Sequence, residues 1–408
     1  MSKEIRLITL DPPYSRYFKH LVESLEKSAK LTLKKHYISA LGYIIFGFRN
    51  AKLVKINIAR KSPTISSKKR VINLARKLNY QLSPKILYRS AQYVEWLREE
   101  IEHHQVNTCL LYNATRFNHV LAISLFQEMG VSYYVFERGT QRGRTTTLLS
   151  NPDLVSLPKL EEPIDSELMD IKHYGTESVA DYALFSLFLL LDHLGKLLGL
   201  NFESPDKALR KKRYTKILYQ WVKAKYSPTP ILNQKYLLVP LQLEYDSQVR
   251  LFSKFSTTQE FIDTVEEGFY RSTLSKDHIL VFSTHPFECK KYQFDRRSRC
   301  FFGKTRALME EAVAIITINS TAGMEALEKL KPCFVFGDAI YKEESVVLPV
   351  TSETFTQSLN KWHKKPWTPS RENVDQVKRR ILVSTQVSGS VYKYDSEALE
   401  QVRQKIVS

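Results

Sequence analysis

Cysteine is scarce in this 408-residue chain: only Cys109, Cys289, Cys300 and Cys333 occur, and no two form a Cys–x–x–Cys pair. Such scattering excludes a zinc ribbon and a disulfide framework, and a reducing cytosol is the expected compartment. Acidic residues are in deficit, 43 against 61 lysines and arginines, for a formal net charge of +18. No apolar run is long enough to cross a bilayer. The nearest, Tyr182 to Leu191 within Val179–Leu200, is about half of the roughly 20 residues required. Asp181, Asp192, His193 and Lys196 flank it. A buried helix is the expectation there, and a helix lying on a membrane surface is the alternative. The opening residues Met1–Ser2–Lys3–Glu4–Ile5 lack the apolar core of a signal peptide. Internal repeats and low-complexity tracts are missing too.

What is present is a globular composition, 43% hydrophobic and 25% charged, at a length sufficient for two well-buried cores. The basic excess favours an anionic partner, whether nucleic acid, an acidic membrane surface or a phosphorylated substrate. No RNP, zinc or helix-turn-helix signature supports nucleic acid.

Short apolar runs alternate with helical periods along the first 164 residues. Ile5–Leu10 reads as a strand, broken by Asp11–Pro12–Pro13, and Tyr14–Leu25 as an amphipathic helix. Leu53–Ala59 is strand-like and Ser67–Leu78 helical. Ser90–His104, Thr108–Tyr112, Asn118–Met129 and Val131–Phe136 then read as helix, strand, helix, strand. That rhythm predicts a parallel sheet covered by helices. Residues 165–228 read as a helical, basic insert. A second α/β block over 229–375 contains strands at Tyr236–Leu243, His278–Ser283, Ala312–Ile318 and Cys333–Gly337, and 376–408 reads as a helical tail. Two α/β blocks predict two Rossmann-like domains facing a cleft, with ligands at the carboxyl ends of strands.

Four strand ends carry chemistry. In the fourth, Ala312–Ile318 leads into Asn319–Ser320–Thr321–Ala322–Gly323–Met324–Glu325, a strand-to-helix turn whose free backbone N–H groups suit phosphate. Ser320 and Thr321 add hydroxyls, and Gly323 is expected to let a ligand approach the backbone; an ordinary capped helix satisfies the same pattern. In the first, Glu137 follows an apolar strand, and Arg138, Arg142 and Arg144 crowd the next loop, a grouping fit for an anionic substrate or a structural ion pair. In the second, strand alternation through Leu238–Asp246 puts Gln242, Glu244 and Asp246 on one face. In the third, Pro286 holds His285 at the strand mouth, where it can donate to phosphate.

Phe136–Glu137–Arg138–Gly139, Gln242–Leu243–Glu244–Tyr245–Asp246–Ser247–Gln248, Thr284–His285–Pro286 and Asn319 through Leu327 occur here in the order seen in bacterial capsule polysaccharide synthesis proteins. Lys331–Pro332, Gly337–Asp338–Ala339–Ile340–Tyr341 and the opening Asp11–Pro12–Pro13–Tyr14–Ser15–Arg16–Tyr17–Phe18 extend the likeness. The chain resembles the β-Kdo transferases of that family, Kdo being an acidic keto-deoxy-octulosonate sugar. One departure is Thr140–Gln141–Arg142–Gly143–Arg144, where the family usually has a Leu/Arg–Pro–Asp segment after its Glu–x–Gly.

The resemblance implies a GT-B-like glycosyltransferase that takes Kdo, or a related keto acid sugar, from a CMP donor and retains its anomeric configuration. It implies a donor site of Gln242, His285, Pro286, Asn319, Ser320, Thr321 and Glu325 in the C-terminal domain, and an acceptor in the N-terminal one. Asp246 is the expected nucleophile and Glu137 the acid/base, because a carboxylate can trap an oxocarbenium-like centre while a second moves the acceptor proton. No Asp–x–Asp pair marks a metal site near a strand end, so neither metal nor other cofactor is expected; histidine and a helix N-terminus can stabilise a single phosphate leaving group. The expected acceptor is a lipid-linked or other glycan in capsule or lipopolysaccharide synthesis. Lys207, Arg210, Lys211, Lys212, Arg213, Lys216, Lys223 and Lys225 share one helical stretch with Tyr214, Tyr219, Trp221 and Tyr226, a composition suited to the anionic inner face of the cytoplasmic membrane, with a solvated basic helix as the alternative. A GT-B enzyme using a UDP- or GDP-sugar, and a non-catalytic anion- or nucleic-acid-binding protein, remain the alternatives.

Overall fold

The computed structural model describes residues 4–27, 30–58, 61–78, 80–141, 143–153, 156–162, 172–175, 178–202, 205, 231–243, 246–285, 288 and 290–407. It divides into two compact units: Met1–Leu160 with Ile164–Arg210 and Leu382–Ser408, and Glu161–Pro163 with Lys211–Ile381.

The first unit begins with β1 (Glu4–Leu10), α1 (Tyr17–Glu26), β2 (Lys30–Ile38), a 3-10 turn at Leu41–Phe46, β3 (Lys52–Leu53) and α2 (Val54–Ile58). It continues through α3 (Ile65–Lys77), α4 (Pro84–His104), β4 (Thr108–Tyr112), α5 (Phe117–Met129), β5 (Ser132–Arg138), β6 (Thr145–Ser150) and α6 (Val179–Leu197). Local chemistry sets these boundaries. Ser83 caps α4 by accepting from the Ile86 N–H at 3.3 Å, with Pro84 opening the first turn. Ser178 and Asp181 form a reciprocal capping box on α6. Gly130 ends α5 at φ +69°, where a side chain would be strained.

The strand order is β13-β6-β5-β4-β1-β2-β3, with β5, β4, β1, β2 and β3 parallel, β6 antiparallel to β5, and β13 antiparallel to β6. β4 is buried along its whole length, as a central parallel strand must be. Its core joins Leu7, Tyr17, Phe18, Leu21, Leu110 and Phe136 to Val402 and Ile406 from the end of the chain.

The second unit contains β7 (Lys235–Pro240), α7 (Ser247–Phe252), α8 (Thr258–Tyr270), a 3-10 turn at Thr273–Lys276, β8 (His278–Thr284), β9 (Arg299–Phe302) and α9 (Thr305–Glu311). Then come β10 (Ala314–Thr317), α10 (Thr321–Glu328), β11 (Cys333–Val335), β12 (Leu348–Pro349), α11 (Phe355–Lys364) and α12 (Arg371–Thr385). Its six strands are all parallel, in the order β12-β11-β10-β7-β8-β9. Counted from its own first strand this is 3-2-1-4-5-6, the Rossmann order, and β3-β2-β1-β4-β5-β6 repeats it in the first unit. Two Rossmann-like sheets are thus present in a chain whose sequence shows no repeat.

Several sequence expectations change. Leu53–Ala59 is mostly the helix α2, because Val54 and Ile58 are buried at helical spacing while Lys55 and Ile56 are not. β2 and β6 escape a hydrophobic search because charged and hydroxyl residues fill them, KLTLKKHYI and TTTLLS. The expected helical tail instead holds β13 (Gln386–Ser388), which pairs antiparallel with β6 and completes the first sheet, before α13 (Ser396–Val407). Of the basic insert expected over 165–228, the residues from Asp206 onward lie outside the described residues.

Candidate active site

In a Rossmann order the two central strands run their helices to opposite faces, and a crevice opens at their carboxyl ends. Each unit has one such point, between β7 and β10 in the second and between β1 and β4 in the first. The side chains at both are polar.

At the second unit's switch point, Gln242 and Asn319 bind each other. The Gln242 side-chain amide donates to Asn319 Oδ1 at 3.0 Å, and the Asn319 backbone N–H donates to Gln242 Oε1 at 3.2 Å. Asn319 Nδ2 also donates to the Gln248 carbonyl at 2.9 Å. Asn319 therefore ties the ends of β7 and β10 to α7, and it is buried. Ser320 caps α10, accepting from the Ala322 N–H at 3.1 Å. Thr321, first in the helix, is exposed. Glu325 forms a two-toothed pair with Arg306 of α9, both contacts at 3.2 Å. The expectation for Gly323 is overturned: a β-carbon there would lie 2.2 Å from the Tyr341 hydroxyl. Glycine is needed for the Tyr341 side chain, which donates to the Ser320 carbonyl, and not for a ligand.

Strand alternation does not govern Asp246, because β7 stops at Pro240. Asp246 instead caps α7, its Oδ1 accepting from the Gln248 N–H at 3.0 Å. Burial pushes its carboxyl above the ordinary aspartate range, with the Gln248 N–H, the Arg250 charge and the Gln242 side chain partly offsetting. His285 follows β8; burial lowers its imidazole, against the opposing charge of Glu288. The lowered value disfavours the imidazolium form near pH 7. Glu244, Tyr245 and Pro286 lie outside the described residues.

The first unit's switch point was not assigned from sequence. Asp11, directly after β1, is fully buried at φ +37°. Its two oxygens accept from the Ser39 N–H and hydroxyl, each at 2.6 Å. Arg116 Nη1 and Asn118 Nδ2 each approach Oδ2 to 3.4 Å, and His119 Nε2 to 3.6 Å. Burial alone would raise this carboxyl; His119, Arg116 and Ser39 more than reverse that and hold it well below the usual range. Arg116 sits in an aromatic cage, its guanidinium carbon 5.9 Å from the Tyr14 ring centroid, 5.5 Å from Tyr43 and 5.9 Å from Tyr112. The available signal was Asp11–Pro12–Pro13 after one strand and Asn113–Ala114–Thr115–Arg116 after another.

Glu137 lies near this group, at the end of the neighbouring strand, and its Oε1 accepts from the Ala114 N–H at 3.3 Å. Arg138 is the next residue of the strand and so points to the other face, donating to the Tyr392 hydroxyl at 3.0 Å and lying 5.1 Å over its ring. Arg144 is exposed in the β5–β6 turn, and Arg142 lies outside the described residues. The hairpin is tight because Gly139 meets Thr145 where a β-carbon would stand 2.1 Å from its carbonyl oxygen.

A cavity of about 550 Å³ lies in the first unit among Ser15, Arg16, Asp181, Leu184, Leu187 and Tyr394. α6 lines one side of it and is only half-buried. Phe188 packs against Tyr14, Tyr43 and Phe46. Leu190 is 57% exposed, Leu197 72% and Leu198 67%, with Leu187 and Leu194 also exposed on the same face. A fully buried helix is thereby excluded. Among the described residues no helix is long and apolar enough to cross a membrane. Arg210, Lys211, Lys212 and Arg213, the expected membrane contacts, lie outside the described residues.

Residues 207–392 match the family model described as capsule polysaccharide biosynthesis protein, a span that includes all six strands of the second sheet. The match covers less than half of the chain. The capsule polysaccharide export protein KpsS of Escherichia coli is 28% identical over 195 residues, 44% of this chain and 48% of KpsS, so the chain spans about half the length of that relative. LipB of Neisseria meningitidis serogroup A, a capsule polysaccharide modification protein, is 22% identical over 336 residues, covering 74% of this chain and 78% of LipB. Among solved structures, the beta Kdo 2,7 transferase of Thermosulfurimonas dismutans KpsC aligns over 98% of both chains at a TM-score of 0.39 and 11% identity. The UDP-GlcNAc 2-epimerase of Neisseria meningitidis covers 98% of this chain and 99% of its own at 0.32 and 12%.

Proposed function

We propose that this chain is a capsule-family glycosyltransferase that moves Kdo, or a related keto acid sugar, from a CMP donor to a lipid-linked or other glycan acceptor, with retention. The observation that carries the reading is the second unit's switch point, where a Rossmann order, a capped helix N-terminus and a neutral histidine occur within the matched segment. The N–H groups of α10, the Thr321 hydroxyl and His285 receive the CMP phosphate. Gln242 and Asn319 hold the strand ends that shape the site, Ser320 caps its helix, and Glu325 orients Arg306.

In the proposed reaction the Asp246 carboxylate attacks the anomeric carbon as the bond to the CMP phosphate oxygen breaks, and the phosphate leaves with the bonding electrons. Glu137 then takes the proton of the acceptor hydroxyl, which attacks the same carbon and releases Asp246. No metal takes part, since one phosphate leaving group is served by hydrogen-bond donors. Arg144, exposed in the β5–β6 turn, serves the acceptor side through charge.

The acceptor reading places the chain on the inner face of the cytoplasmic membrane. The exposed leucines of α6 supply apolar contact and the basic residues from Lys207 onward supply attraction to anionic lipid, about 1 kcal/mol for each near the surface. Incubating the protein with CMP-Kdo and a lipid-linked acceptor and measuring CMP release tests the chemistry. Stabilisation by UDP or GDP in preference to CMP would overturn the donor assignment. Sedimentation with anionic and neutral vesicles, in wild type and with Arg210, Lys211, Lys212 and Arg213 changed to serine, tests the location. Equal binding to both vesicle types, or no effect of the four changes, would remove the electrostatic part.

A further inference from the structure

Asp277, His278 and His363 come together at the amino-terminal edge of the second sheet, the opposite edge from His285 and the β10–α10 turn. Asp277 follows the 3-10 turn Thr273–Lys276, His278 is the first residue of β8, and His363 lies in the last turn of α11. One ligand atom from each lies within 4.8 Å of the other two. His278 Nδ1 is 2.9 Å from Asp277 Oδ1, and His363 Nε2 is 3.9 Å from Asp277 Oδ2.

The hydrogen bonds behind His363 favour one tautomer of its ring. Thr273 donates its backbone N–H to Asn360 Oδ1 at 2.7 Å, which identifies that atom as the amide oxygen. The Thr273 hydroxyl donates to the same oxygen at 3.1 Å, so its single proton is spent. Its lone pair then accepts from His363 Nδ1, 2.9 Å away. His363 is thereby held with Nδ1 protonated and the Nε2 lone pair turned toward Asp277 and His278. A ring oriented from behind by a hydroxyl, with its other nitrogen offered beside a carboxylate and a second imidazole, is the arrangement of a metal ligand with its supporting shell.

We infer that Asp277, His278 and His363 form a site for a borderline divalent cation of the zinc class, which clamps the start of β8 to the end of α11. Two imidazole nitrogens and one carboxylate oxygen suit Zn²⁺ or Co²⁺ over Mg²⁺, which prefers oxygen alone. Ligands about 2.0–2.2 Å from a tetrahedral zinc stand roughly 3.4 Å apart, so the His363–Asp277 contact must close from 3.9 Å and the His278–Asp277 contact open from 2.9 Å, a movement available to Asp277, whose side chain is 55% exposed. On binding, His278 changes tautomer: Nδ1 releases its proton to solvent and exchanges its bond to Asp277 for the metal, Nε2 takes up a proton from solvent, and water fills the open fourth position. The site lies away from the strand ends assigned to the donor, so its role is to hold the fold.

The test uses full-length protein without a histidine tag, stripped with EDTA and dialysed against Zn²⁺, with bound metal counted by atomic absorption and stability followed by melting. Wild type should hold one more Zn²⁺ per chain than H278N or H363Q. Zinc should raise its melting temperature, EDTA should reverse this, and Mg²⁺ should do neither. Thr273→Val, which leaves all three ligands in place, should weaken zinc binding about 10–100-fold through loss of the supporting bond. Should H278N or H363Q fail to fold, Thr273→Val with an unchanged metal-free melting temperature carries the comparison. Zinc uptake that is absent, or equal in wild type and H363Q, or unaffected by Thr273→Val, would overturn the inference.

Discussion

Asp246 is both a helix cap and the proposed nucleophile, and two substitutions separate these roles. Asparagine caps a helix as well as aspartate does, whereas alanine cannot cap, at a cost of about 0.5–2 kcal/mol. In a unit of this size each kcal/mol moves the melting temperature by about 2–4 °C. Asp246→Ala should therefore melt a few degrees below wild type, and Asp246→Asn close to it. Burial raises the Asp246 pKa in the folded state, so the folded protein holds its proton more tightly than the unfolded chain. Between the unfolded value, 3.8, and the raised folded one, stability attributable to this group falls as pH rises. Asp246→Asn should remove that slope and gain slightly at neutral pH. Transfer should be lost in both variants, because an amide is not a nucleophile toward the anomeric centre. Wild-type turnover should rise with pH through the raised carboxyl value, since only the ionised form attacks. CMP release and thermal melts on the three proteins decide the matter. Asp246→Asn retaining more than about a tenth of wild-type turnover would refute the nucleophilic role. Asp246→Asn melting as low as Asp246→Ala would refute the capping argument.

Glu137→Gln should impair transfer severely while leaving CMP affinity unchanged, because the amide keeps the acceptor geometry but cannot exchange a proton; a normal rate across pH would move the acid/base role elsewhere. His285→Ala should weaken CMP binding by about 1–3 kcal/mol in calorimetry. Because burial lowers the His285 pKa, wild-type affinity should show no histidine titration between about pH 7 and 8, and a steep fall there would contradict a neutral donor. Gly323→Ala should destabilise the second unit by forcing Tyr341 away, with a lowered melting temperature as the readout; an unchanged melt would mean that Tyr341 moves freely.

The buried parallel strands were legible because they are short apolar runs with nothing else competing: Leu7–Leu10, Leu237–Val239 and Ile315–Ile316 are almost entirely enclosed. β2, β6, β12 and β13 were not, since position rather than composition makes them strands. β6 and β13 are joined by their backbone ladder and by side chains such as Gln386, whose amide donates to Thr147 Oγ1 at 2.9 Å. The same limit hid the Asp277–His278–His363 cluster, whose members are 86 residues apart at the extremes and share no spacing that a motif could record. α6 shows a different ambiguity. Leucines on every side of a helix fit burial and surface attachment equally, and only the packing of Phe188 inward with Leu190 and Leu197 outward separates the two.

The strand ends were found by their polarity, but polarity does not say what a side chain is spending its hydrogen bonds on. Asn319, Ser320 and Asp246 each hold a turn in place, so mutating them perturbs shape before chemistry. The same reasoning applies with more force to Asp11 and Arg116, which sequence left unassigned. Their pair is enclosed by Tyr14, Tyr43 and Tyr112, where an unpaired charge cannot be solvated. Removing one partner of such a pair costs about 3–5 kcal/mol, while replacing both with apolar groups of similar volume is often neutral. A polar constellation at a Rossmann switch point is therefore first a device for fixing the ends of two strands that diverge. The side chains left for a substrate are those whose bonds the turn does not consume, and in the second unit exposed Thr321 meets that condition while buried Asn319 does not.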